Sequence, residues 1–75
     1  MNTLKTRIST TEVEAGDVVW CYNDKCQMER VEVEAVRRIK SLRYGEPDTI
    51  RVSTTNGLLR TWNAAGSVVL EQKVL

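Results

Sequence analysis

A chain of 75 residues has room for one domain and buries only a modest share of its surface. Hydrophobic residues make up 41% and charged residues 28%, and the net charge is +1, which excludes a highly charged, disordered chain. No run approaches the roughly 20 apolar residues of a membrane helix, and MNTLKTRISTTEVE lacks the apolar centre of a signal peptide. A cytoplasmic protein with free thiols is therefore expected, as a single domain over 1–75 with residues 1–6 the segment most open to flexibility.

The small net charge hides an uneven distribution. Residues 12–34 carry seven acids against Lys25 and Arg30, a net −5. Residues 35–62 carry Arg37, Arg38, Lys40, Arg43, Arg51 and Arg60 against Glu46 and Asp48, a net +4. Folding decides whether these blocks separate into two surfaces or interleave.

Along the chain, a turn at Gly16-Asp17 leads into Val18, Val19, Trp20, Cys21 and Tyr22, a β-branched and aromatic run that predicts a strand. The polar stretch NDKCQ follows as a loop. If Trp20–Met28 is a hairpin, Cys21 and Cys26 face each other across it and a disulfide becomes geometrically open; free thiols are the simpler expectation.

MERVEVEAVRRIKSLRYG supports two readings. Met28, Val31, Ala35, Ile39 and Leu42 recur at helical steps, with cations in the last turn and Gly45 placed to end a helix. Against this, Val31 and Val33 alternate with Glu32 and Glu34 as in a strand, and a β-bulge near Ala35-Val36 would switch the parity and put Ile39 inside.

DTIRVSTTNGLLRTW is the clearest signal. Ile50, Val52 and Thr54 alternate with Arg51, Ser53 and Thr55, Asn56-Gly57 suits the two central positions of a tight turn, and Leu58 to Trp62 returns as a strand. NAAG then reads as a short turn and SVVLEQ as a last strand. The expected core is Val18 or Val19, Val31 or Val33, Ile39, Ile50, Val52 and one parity of Val68, Val69 and Leu70.

In spacing, residues 13–71 resemble a small SH3-like barrel of the Tudor or KOW type, of the kind found in small phage or bacterial proteins. AGDVVWCY stands as the first strand, MERVEVEAVRRI as the long bent strand, and TIRVSTTNGLLRTW as the following hairpin. The resemblance implies an all-β barrel of about five strands, with a helical turn before the last one. The alternative is an α+β fold with a helix near 25–43 on a small antiparallel sheet. No aromatic cage for methyl-lysine and no KOW glycine signature is present. The AGD strand start is also similar to the Hint fold, but residue 1 is Met, there is no histidine and the last residue is Leu75, so splicing chemistry is rejected.

Catalysis finds little support. The chain has no histidine, no Gly-rich phosphate loop and scattered carboxylates, and two cysteines cannot complete a zinc site. No enzyme activity, cofactor or metal is expected. Trp20 and Trp62 are expected in the core because the chain has no Phe, with Tyr44 exposed; Tyr44 and Trp62 are the candidates for stacking on bases.

The leading functional expectation is a non-enzymatic binding module that touches nucleic acid or a nucleoprotein complex through Arg37, Arg38, Lys40, Arg43, Arg51 and Arg60. One alternative is a small protein-interaction module or inhibitor of phage type that binds a host protein, with Glu29, Glu32 and Glu34 meeting a basic surface. Another is a structural or oligomerising subunit that pairs through strand edges. Monomer and homodimer are both left open. A purely solvated basic face stands beside all three.

Overall fold

The computed structural model describes residues 3–23 and 25–73. Six strands form one antiparallel sheet: β1 (Thr3–Ser9), β2 (Val18–Tyr22), β3 (Met28–Ile39), β4 (Thr49–Thr54), β5 (Leu59–Asn63) and β6 (Ser67–Lys73). Their order across the sheet is β1-β6-β2-β3-β4-β5. A single 3-10 turn, Thr10–Glu12, follows β1. The fold is all-β, and the sheet is open: among the described residues no ladder joins β1 to β5. The extents are 45 × 22 × 22 Å. Part of this length is the end of the β1–β6 ribbon, where Thr3 and Leu4 pair with Lys73 and Gln72 and no third strand lies alongside.

Residues 28–39 are a strand, and the helix expected as the alternative near 25–43 is absent. The alternation of Val31 and Val33 decides the matter. Both are buried, at 4% and 1% exposure, and a helix would have turned Val33 off its apolar stripe. β3 is long because it serves two partners. Its first half pairs with β2, Val31 opposite Val19, and its second half pairs with β4, Val36 opposite Val52. Where the strand changes partner, the register slips between Val33 and Ala35, so Val33 faces Thr54 while Ala35 faces Ser53. Glu34 is the extra residue of a bulge.

This bulge lies just before the position expected from the sequence, and its consequence differs. Parity changes after Val33, so Val36 turns toward the core and Arg37 and Ile39 turn away. Ile39 is half-buried opposite Thr49 rather than a core residue. The loop before β2 fixes the strand at this point: Val33 N–H donates to Asp17 O at 2.8 Å, and Gly16 N–H donates to Val33 O at 2.7 Å.

The core consists of Val13, Val19, Cys21, Val31, Val33, Ile50, Val52 and Val68, with Ile8, Val36, Trp62, Ala64 and Leu70 packed against it. Six of these eight buried positions are valine, so the core is thin, each side chain contributing about 1.5–3 kcal/mol when fully buried. Two buried threonines are satisfied by backbone. Thr10 Oγ1 donates to Asn63 O at 2.7 Å, tying the 3-10 turn to the end of β5, and Leu58 N–H donates to Thr54 Oγ1 at 3.1 Å.

Three further sequence expectations are corrected. Trp20 is not in the core: it lies half-buried on the opposite face from Val19 and Cys21. The connection before the last strand is a tight turn, with Gly66 N–H donating to Asn63 O at 2.9 Å, and the helical turn sits after β1 instead. There Ser9 and Glu12 form a reciprocal capping box. The β4–β5 turn is closed by Gly57 N–H donating to Thr54 O at 3.0 Å, so Thr55 and Asn56 are its central residues. Gly57 follows with φ of 85°, the arrangement of a turn ended by a left-handed glycine.

A side chain at residue 57 would meet nothing within 4 Å, so the cost of replacing this glycine is a backbone cost alone. Gly57→Val is expected to lower stability by about 1 kcal/mol or more, read as a shift of the urea midpoint at constant slope. An unchanged midpoint would contradict the left-handed geometry.

Candidate functional site

The six cations named from the sequence are divided by the fold. Arg37 and Arg51 are direct cross-strand partners on β3 and β4, with Thr61 of β5 next in the row. Opposite residues in such a ladder have Cβ atoms about 4.5–5.5 Å apart, where like charges are destabilising. Both arginines are exposed, and neither forms an ion pair among the described residues. They flank a shallow depression of about 150 Å³ shared with Ala35, Ser53 and Leu59. Leu59 is 65% exposed there, giving the depression an apolar wall.

Two of the six are engaged by acids. Arg38 Nε donates to Asp48 Oδ2 at 2.8 Å, and Asp48 Oδ1 accepts Ser41 N–H at 2.9 Å. Asp48 thus closes the base of the 40–48 loop. The Ser41 amide first, and Arg38 second, hold its carboxyl below the usual carboxylate range. Arg60 donates from Nε and Nη2 to Glu29 Oε2, at 3.0 and 2.7 Å. Glu29 stands in the first half of β3 and Arg60 on β5, so this pair spans strands that are not ladder neighbours and ties the curled sheet across its concave face.

The remaining two lie in the loop. Lys40 is exposed, and Arg43 makes a loose contact with Glu46 at 3.6 Å with both side chains largely in solvent. Such a pair contributes little. Leu42 and Tyr44 beside them are fully exposed. Of the two stacking candidates, Tyr44 is therefore open to solvent, while Trp62 is half-buried against the core.

A second cluster, which the sequence reading missed, lies on the outer face of β1, β6, β2 and β3. Glu71 accepts Trp20 Nε1–H at 3.1 Å and both Nε and Nη2 of Arg30, at 3.0 and 2.7 Å. Lys5 Nζ sits 4.5 Å from the Trp20 ring centroid, a cation–π contact. Arg30 and then the Trp20 N–H hold the Glu71 carboxyl low. The partners are up to 51 residues apart in sequence, so only the period-two spacing of Lys5 and Arg7 hinted at this face.

The cysteines are both free. Cys21 is buried opposite Glu29, not Cys26, which lies exposed in the 23–27 loop with φ of 58°. Burial, with the Glu29 charge second, pushes the Cys21 thiol up, the reverse of what a nucleophile needs. No group of three or more metal-binding side chains occurs among the described residues, and none of their helices is long and apolar enough to cross a membrane.

Glu71 and Asp48 have carboxyl groups held lower in the folded chain than in the unfolded one, so their stabilisation is complete above the unfolded pKa and is lost as pH falls through the lowered value. Glu71→Gln is expected to be less stable than the parent at neutral pH, with the gap closing on acidification, as followed by thermal melts across the acid range. A gap independent of pH would contradict this.

Comparison with known family models, with curated proteins and with solved structures finds no significant match, so the fold and the arrangement of these side chains carry the functional reading.

Proposed function

We propose that the chain is a non-enzymatic binding module that engages the sugar–phosphate backbone of nucleic acid through Arg37 and Arg51, extended by Lys40 and Arg43. The observation that carries this reading is the Arg37–Arg51 pair: two exposed arginines at opposite positions of the ladder, with no ion pair to either among the described residues. A fold under selection for stability alone gains nothing from that juxtaposition. Two successive backbone phosphates, one on each guanidinium, replace the repulsion with charge-assisted contacts. Arg38 and Arg60 leave the binding set, because Asp48 and Glu29 hold them. In this reading the curled sheet is a partly open SH3-like barrel, and the protein works inside the cell with its thiols reduced. Support for the barrel comes from Arg60–Glu29, which bridges strands that the ladder keeps apart.

A second reading has its own support. Leu42 and Tyr44, at 101% and 108% exposure, project from a loop whose base Asp48 pins, and apolar groups presented this way suit a protein partner.

Binding to a short duplex and to a single strand, measured over a salt series, tests the proposal. Each neutralised phosphate contributes a slope of about −0.9 in log K against log salt on the duplex and about −0.7 on the single strand, so four contacts give a slope near −3 to −4. Arg37→Ala with Arg51→Ala is expected to flatten the slope by about two while leaving stability unchanged or slightly higher. Absence of binding at low salt by the folded chain would overturn the proposal and leave the protein-partner reading.

A further inference from the structure

The β2–β6 ladder contains only three pairs, Val18–Glu71, Val19–Leu70 and Trp20–Val69. Beyond Trp20 the strands continue, as Cys21-Tyr22 on β2 and Ser67-Val68 on β6, without pairing to each other. A cavity of about 180 Å³ occupies this fork. Its lining draws on both faces of the sheet: Cys21, Val68 and Trp62 belong to the core side, and Trp20, Val69 and Arg7 to the outer side. The space is open to solvent on one side, and its volume exceeds the roughly 150 Å³ that holds a benzene ring in an enclosed cavity, so one ring with a small substituent fits within it.

The fork also has a charged mouth. Arg7 Nη1 donates to Ser67 Oγ at 3.0 Å, which holds the guanidinium at the rim. Arg7 forms no ion pair among the described residues. Among the described residues, Glu71 pairs with Arg30 and Glu29 with Arg60, each at 2.7 Å. The Arg7 guanidinium therefore presents a positive charge at the mouth. Trp20 and Trp62 line the cavity, and a guanidinium with a hydroxyl supplies donors matched to a carboxylate.

The geometry points to a small-molecule site in the β2–β6 fork for an aromatic monocarboxylate, its ring in the cavity that Trp20 and Trp62 line and its carboxylate on Arg7 and Ser67. This site is separate from the Arg37–Arg51 surface and stands or falls independently of it.

Benzoate, its neutral analogue toluene and the ringless anion acetate are titrated against the whole chain, read by indole fluorescence and by amide and indole NMR shifts. Benzoate is expected to saturate, with shifts centred on Trp20, Tyr22, Trp62 and Ser67–Val69. Toluene binds about tenfold more weakly for want of the charged contact, and acetate does not saturate. Arg7→Gln, an exposed substitution that leaves the core intact, weakens benzoate about tenfold and leaves toluene unchanged. Shifts scattered over the surface, equal responses to benzoate and acetate, or an Arg7→Gln variant that binds benzoate like the parent would each overturn the site.

Discussion

One extra residue in β3 sets both how that strand covers the core and where Arg37 stands. A regular strand from Met28 to Ile39 would keep odd-numbered side chains on the core face throughout, burying Arg37 beside Val31 and Val33. The bulge at Glu34 prevents this. Val31 and Val33 cover the core in the half that pairs with β2, and Val36 takes over in the half that pairs with β4. The same slip turns Arg37 outward opposite Arg51. Packing and the candidate interface thus share a single cause. A bulge also increases local twist, which suits a strand that must pass from one half of a curled sheet to the other.

The electrostatics follow from that curl. Glu29 and Arg60 meet because the first half of β3 and β5 face each other across the concave side, where Cys21 and Trp62 also lie. The Glu29–Arg60 pair joins the net −5 block of the sequence to the net +4 block, whereas Asp48 holds Arg38 within the second. Among the described residues, Arg37, Arg51 and, at the open mouth of the fork, Arg7 form no ion pair. A core built mainly from valine makes these long-range polar ties more consequential than they would be around larger side chains.

Much of the sheet was legible in the sequence because its signals are local. The alternation of Ile50, Val52 and Thr54, the glycine at the hairpin and the β-branched run at Val18–Tyr22 each announce a strand or turn without outside help. β1 was not legible. Its alternation is carried by Leu4, Thr6 and Ile8, of which only Ile8 packs on the core, and an edge strand needs little else. The central residues of the hairpin turn were misplaced by one because Asn-Gly fits two turn geometries, and the hydrogen bond from Gly57 to Thr54 selects between them. Among the candidate site residues, sequence supplied the cations but not their partners. Asp48 lies 10 residues from Arg38, and Glu29 lies 31 from Arg60, so the division of the basic block is a tertiary fact.

The most direct test of this account is the set of cross-strand contacts between β3 and β4, read from NMR distance restraints along both backbones. The account predicts Val33 opposite Thr54 and Val36 opposite Val52, with Arg37 facing Arg51 and Glu34 lacking a cross-strand partner. Contacts that place Ala35 opposite Val52 and Arg37 opposite Ile50 would mean a regular strand with Arg37 on the core face, and would contradict it.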